Sequence, residues 1–245
     1  MTSLTTCVDA EAAAKRAATE IVRRLQSARR ERGTAHLALS GGTTPARTYE
    51  LLAQELDDWQ QIDVWFADER CVDPNDEESN YKLARETLLD AAPGLESSRV
   101  HRMEGELGPE QGAERYAQAL RAHAPIEEGL AVLDVIVLGI GPDGHIASLF
   151  PGAPTLDVQA PGLCLGVHDS PKPPPERITL TLPVLRAAQR CVLLATGASK
   201  ADAVDAMLAE PSHHVPASLL RRGRLSVIVD DAASPEAPKE QGRAS

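Results

Sequence analysis

The sequence predicts an α/β fold: a single-domain, three-layer, Rossmann-like arrangement with a mostly parallel central sheet flanked by helices. Three observations predict it. Short apolar segments of strand length alternate along the chain with longer segments of helical period. The most strand-like segment, Val132 to Leu138, is apolar except for Asp134, as expected of a strand covered on both faces. Glycine-rich turns follow directly on two of the strands, at the strand ends where such sheets hold ligands.

At the N-terminus, Thr6-Cys7-Val8-Asp9 resembles a capping box. Ala10, Ala14, Ala17, Ile21, Leu25 and Ala28 then recur at helical spacing. Ala35 to Leu39 is short and apolar before a Ser-Gly-Gly turn and reads as a strand. Pro45 suits the first turn of a helix that runs to about Leu56. A strand is predicted over Ile62–Ala67, and helices near Ser79–Leu89 and Pro109–His123. After Val132–Leu138, further strands are predicted at Leu163–Val167, Ile178–Leu182, Cys191–Ala195 and Leu225–Val229. Helices are predicted around Val184–Ala188 and Ser199–Leu208.

His168 to Arg177 contains four prolines and reads as a stiff, extended loop. Residues 1–230 are expected to form one domain. The tail from Asp231 to Ser245 is rich in Ala, Pro, Ser and charge and is expected to be disordered.

Composition narrows the function classes. The chain has 245 residues, 42% hydrophobic and 25% charged, which is an ordinary globular balance and long enough for a substantial core. Aromatic residues are 3%, so that core must rest on Ala, Val, Leu and Ile. The net charge of −11 has the wrong sign for following a nucleic-acid backbone. No run of about 18 apolar residues suggests a membrane span, and Met1 to Asp9 lacks the pattern of a signal peptide. A cytoplasmic location is therefore expected. Cys7, Cys71, Cys164 and Cys191 stand far apart without a CxxC pair, as reduced thiols would. No HExxH or His–Cys cluster occurs, so no metal is expected. No sustained heptad stands out, and a monomer or weak oligomer is expected.

Three stretches carry candidate chemistry. Ser40-Gly41-Gly42-Thr43-Thr44-Pro45 joins a strand to a helix, whose free N–H groups and positive dipole end suit a phosphate. Taken alone it is equally a tight turn with a Thr cap, and it lacks the Lys of a Walker A loop. Asp68-Glu69-Arg70 places three charges directly after a strand, which is either a ligand site or a solvated loop. Gly139-Ile140-Gly141-Pro142-Asp143-Gly144-His145 matches the dinucleotide fingerprint in letters only. It lies mid-chain, puts a His where the pyrophosphate would pack, and has no acidic strand end about 20 residues on. A different role fits it better. An Asp two residues before a His can hold the imidazole's tautomer, and a His on a Gly-rich turn is available to a ligand as a general base. Arg177 and Lys200 are isolated cations that could neutralise a phosphate or simply be solvated.

Five motifs in this order resemble the 6-phosphogluconolactonase family, which sits beside the glucosamine-6-phosphate deaminases. They are LSGGTTP at Leu39–Pro45, FADER at Phe66–Arg70, GIGPDGHIASLFPG at Gly139–Gly152, RITL at Arg177–Leu180 and TGASK at Thr196–Lys200. The resemblance spans about Ala35 to Val229. It implies an α/β hydrolase of a sugar-phosphate lactone. Ser40, the Gly41, Gly42, Thr43 and Thr44 loop, Arg177 and Lys200 would bind the phosphate. His145 would activate water, oriented by Asp143; Arg70 would stabilise the developing oxyanion; Asp68 would contact a hydroxyl or Arg70. No metal or organic cofactor is implied. The deaminases carry a Glu five residues after the equivalent of His145 and a Tyr at the equivalent of Arg70, whereas this chain has Phe150 and Arg70. Sugar-phosphate sensor domains of transcription regulators share the fold but carry a DNA-binding segment, for which the short N-terminus leaves no room.

Overall fold

The structure, a computed structural model, describes residues 2–156 and 162–235. In chain order the elements are β1 (Thr2–Cys7), α1 (Ala10–Arg32), β2 (Ala35–Leu39), α2 (Thr43–Glu55), β3 (Ile62–Phe66), β4 (Asp68–Arg70) and α3 (Asn80–Thr87). They continue with α4 (Pro109–His123), β5 (Ile126–Glu127), β6 (Leu130–Ala131), β7 (Val135–Gly139), β8 (Cys164–Val167) and β9 (Arg177–Leu180). The last are α5 (Leu182–Ala187), β10 (Cys191–Ala195), α6 (Ala201–Leu208) and β11 (Leu225–Asp230).

Six strands form the central sheet in the order β1-β11-β10-β7-β2-β3, every neighbouring pair parallel. Strands β2, β3, β10 and β11 are buried at every position, which is why their sequences are mostly apolar rather than alternating, with His36, Asp63, Ser226 and Asp230 as buried polar exceptions. Helix α1 packs across this sheet and against α2. Its buried face is mostly alanine, with Ile21 and Leu25 as the larger apolar side chains and Glu20 buried beside them.

Local chemistry sets the ends of α1. The Asp9 carboxylate accepts from the Ala12 N–H at 2.7 Å, and Gly33, at φ 80°, closes the far end by donating to the Arg29 carbonyl. The predicted capping box therefore does not start the helix at Thr6. Thr2–Cys7 is instead an edge strand, paired with β11 from Thr2 opposite Leu225 to Cys7 opposite Asp230. Its polar, mostly exposed residues give no periodic signal; the pairing comes from a strand over two hundred residues away.

The strands predicted at Leu163–Val167 and Ile178–Leu182 do not join the parallel sheet. They form β8 and β9, which with β4 make a separate antiparallel sheet in the order β4-β9-β8, packed against α4. Strand β9 stops at Leu180, and Leu182 already opens α5, with Pro183 in its first turn. The predicted Val132–Leu138 strand starts only at Val135. The Asp134 carboxylate before it accepts from the His36 N–H at 2.9 Å and pairs with Arg32, an alternative to strand pairing. After β11 the chain turns, and Ala233 is buried. Residues 236–245 of the expected disordered tail lie outside the described residues. All four cysteines are free, and no described helix is long and apolar enough to cross a membrane.

A buried titratable cluster lies between β2 and β3. His36 stands opposite Asp63 and its Nδ1 accepts from Trp65 Nε1 at 3.2 Å. His101 stacks on Trp65 at 3.9 Å and bonds Asp63 at 2.8 Å; Arg99 also donates to Asp63. Burial pushes His36 down to about 4, against the attraction of Asp63 and with the help of His101, Arg32 and Arg99. A folded-state value below the unfolded 6.5 means that the unfolded chain binds the extra proton first. Stability is expected to be intact above pH 6.5 and to fall by on the order of 3 kcal/mol between pH 6.5 and 4. Urea midpoints across that range would show the slope, and His36→Gln should flatten it; an unchanged slope would assign it to other groups.

Candidate active site

The chain passes from β2 to β3 on one side and later places β7 on the other side of β2. The loops leaving β2 and β7 therefore diverge, opening a cleft at the carboxyl end of the sheet. Both loops line it, joined by residues after β3, after β10 and from the proline-rich loop.

From β2, the backbone at Ser40 is gripped by Tyr49 of α2. The Ser40 N–H donates to the Tyr49 hydroxyl at 2.9 Å, and that hydroxyl donates to the Ser40 carbonyl at 2.8 Å. Helix α2 begins directly afterwards with Gly42 as its N-cap and no side-chain cap. The predicted Thr-cap alternative is thus absent: Thr44 Oγ1 pairs instead with Thr196 Oγ1 at 3.0 Å. Amides at the start of α2 are left for a ligand, the arrangement that suits an anion. Gly41 has a packing reason to be glycine, because a Cβ there would lie 2.0 Å from Asn80 Oδ1.

From β7, the Gly141 N–H donates to the His145 carbonyl at 2.9 Å and folds the turn back on itself. Within it, His145 Nδ1 lies 2.5 Å from Asp143 Oδ1. A carboxylate in that place accepts the Nδ1 proton, which leaves Nε2 as the basic nitrogen. Phe150 packs on the imidazole, ring centroids 4.7 Å apart. Burial pushes His145 below the usual imidazole range; Asp143 pulls it up, and Lys172 pushes it further down. Asp143 is itself held below the ordinary carboxylate range: burial raises it, but the hydrogen bond to His145 and the charges of His145 and Lys172 together outweigh that cost. Burial and Lys172 thus favour the neutral imidazole, against the pull of Asp143.

The Asp68-Glu69-Arg70 stretch is the strand β4 and not a solvated loop. Asp68 and Glu69 are buried. Asp68 does not contact Arg70; its carboxylate accepts from Ser148 Oγ at 2.8 Å and from Asn80 Nδ2 at 3.2 Å. Glu69 accepts from the N–H groups of Arg70, Asn80 and Tyr81, which pins the start of α3 beside the cleft. Burial raises its carboxyl to about 7. Arg70 reaches the Glu78 carbonyl and lines the cleft.

Lys200 lines the cleft from beyond β10, its ammonium donating to the Ile140 carbonyl at 2.8 Å. The Asp230 carboxylate, at the end of β11, holds this segment through the Gly197 N–H at 3.0 Å. Arg177 lines the cleft as well, but most of its guanidinium is engaged elsewhere. Nε donates to the Pro174 carbonyl at 3.0 Å, and Nη2 to those of Lys172 and Pro173 at 3.0 and 3.1 Å. The structure thus brings Ser40, Gly41, Gly42, Thr43, Thr44, Asp68, Arg70, His145, Arg177 and Lys200 to one cleft, with Asp143 behind His145.

Sequence reasoning missed Lys172, Asn80, Ser148, Tyr49 and Asp230. Lys172 could have been found as a cation amid the prolines of the loop; the others carry no signal before the strands are assembled. Among the described residues, no group of three His, Cys, Asp or Glu side chains is placed to hold a metal ion.

The fold and cleft together define a doubly wound α/β protein with an uncapped helix start facing a hydrogen-bonded His–Asp pair. Residues 8–229 match the family described as glucosamine-6-phosphate isomerases/6-phosphogluconolactonase, and the chain belongs to that family. It is 39% identical over 244 residues to the 6-phosphogluconolactonase of Streptomyces coelicolor, covering 94% of this chain and 93% of that one. It is also 39% identical over 213 residues to that of Rattus norvegicus, covering 83% and 80%. Among solved structures, it resembles the 6-phosphogluconolactonase of Trypanosoma brucei with a TM-score of 0.84 at 28% identity, covering 95% and 97% of the two chains.

Proposed function

We propose that this protein is an enzyme that hydrolyses 6-phospho-D-glucono-1,5-lactone to 6-phospho-D-gluconate, the second step of the oxidative pentose phosphate pathway. The observation that carries the reading is His145, bonded through Nδ1 to Asp143 and facing the same cleft as the uncapped start of α2. The phosphate docks on the Gly41–Thr44 amides and Lys200, with Arg177 adding charge. His145 Nε2 takes a proton from water as the water oxygen bonds to C1 of the lactone. The carbonyl oxygen becomes an oxyanion, which Arg70 stabilises. The C1–ring oxygen bond then breaks, and His145 returns its proton to the departing oxygen, which becomes a hydroxyl. The sum is one water and one lactone to one hydroxy acid, with no further reactant.

Phe150 weighs against the deaminase alternative. It is buried on the imidazole and offers no titratable group where that reaction uses an acid. Free thiols support a cytoplasmic setting.

The test is disappearance of freshly made lactone, coupled to 6-phosphogluconate dehydrogenase and corrected for spontaneous opening. Acceleration supports the reading. No acceleration, with ammonia released from glucosamine 6-phosphate, would replace it by the deaminase. In the same assay Lys200→Ala is expected to raise KM about tenfold or more, since a charge-assisted contact contributes ~1.5–3 kcal/mol. An unchanged KM would move the phosphate elsewhere.

A further inference from the structure

The proline-rich loop places a second cation beside the base. Lys172 Nζ lies 3.3 Å from His145 Nδ1 and 3.5 Å from Asp143 Oδ1. The backbone that carries it is held on both of its polar groups. The Lys172 carbonyl accepts from Ser170 Oγ at 2.8 Å and from the buried Arg177 at 3.0 Å, and its N–H donates to Ser170 Oγ at 3.3 Å. Arg177 also binds the carbonyls of Pro173 and Pro174, so a charged side chain buried beneath the loop fixes the place from which Lys172 reaches the cleft.

We propose that Lys172 is a positioning residue that keeps His145 unprotonated: its ammonium, held at the Asp143–His145 pair, opposes the charge of an imidazolium. The charged groups acting on His145 are Asp143 at hydrogen-bond distance, Asp68 from β4, and Lys172. The two carboxylates favour protonation, and Lys172 alone among these opposes it. Without it, the Asp143 bond that sets the tautomer would also draw a second proton onto the ring at mildly acid pH. The loop thus lets one carboxylate orient the base without neutralising its function. The assignment of a base rests on the lactonase reading, but the electrostatic effect does not.

The experiment is titration of the His145 imidazole by NMR in the ligand-free protein, for wild type, Lys172→Met, Lys172→Arg and Lys172→Glu. A charge 3.3 Å away, carried by the partly exposed Lys172, shifts the midpoint by about half to one pH unit. The midpoint should rise by that amount in Lys172→Met, rise further in Lys172→Glu, and stay near wild type in Lys172→Arg. An unmoved midpoint in Lys172→Met overturns the proposal. The acid limb of kcat/KM for the lactone should move with the imidazole. A midpoint that moves while the limb stays still would uphold the electrostatic role of Lys172 and overturn His145 as the base.

Discussion

His145→Ala is expected to lower kcat for lactone hydrolysis by about 10²–10⁴-fold with little change in KM, the loss associated with removing a general base. The side chain sits on a turn where Gly141 already bonds the His145 backbone, so truncation leaves the loop closed. Phosphate contacts lie on the α2 start and Lys200, which the substitution does not touch. The residual rate would come from binding and from Arg70. The pH profile gives an independent check. Burial holds the His145 value below 6.5, so the active, neutral form persists through pH 7 down to about 6.5, and activity falls as pH drops through the lowered value. An acid limb centred above 6.5, or wild-type kcat in the alanine variant, would remove His145 from the mechanism while leaving the activity in place.

Gly141→Ala should cost about 10²-fold in kcat with the fold retained, although it alters no group that touches substrate. A Cβ at this position would lie 1.9 Å from His145 Nδ1, 2.1 Å from its Cε1 and 2.4 Å from Asp143 Oδ1. No real Cβ tolerates such contacts, so either the imidazole or the carboxylate must leave its place. A displacement on the order of 1 Å at a reacting group is enough for a loss of that size. Thermal unfolding and kcat measured together separate the outcomes. A melting temperature near wild type with a large fall in kcat supports the account. Unchanged kcat would show that the close approach of Gly141 to the His–Asp pair is not required.

These two residues differ in how they could be read. His145 and Asp143 were legible as a pair because a single turn brings them together, two residues apart on a glycine-rich loop. The same holds for the Ser40–Thr44 loop, whose ligand-binding groups are local amides at a helix start. Gly141 was legible as a glycine in a turn, but not as the residue whose missing side chain makes room for the imidazole. For Asp68 a hydroxyl or Arg70 was expected as partner; Ser148 and Asn80, which it does bond, arrive from other elements. Arg177 was read as a phosphate cation, and its bonds to the proline-loop carbonyls could not be seen before β9 was placed.

By itself the sequence determined the parallel α/β core, the family, and the positions of the His145–Asp143 pair and of the glycine turn before α2. Each of those is carried by continuous apolar runs or by motifs of a few consecutive residues. Tertiary structure alone decided that Thr2–Cys7 is an edge strand, that β4, β9 and β8 form a separate antiparallel sheet, and that Lys172 stands against the His145–Asp143 pair. Those outcomes depend on pairing between segments tens to hundreds of residues apart. Burial and the neighbouring charges that lower His145 exist only once those segments have met.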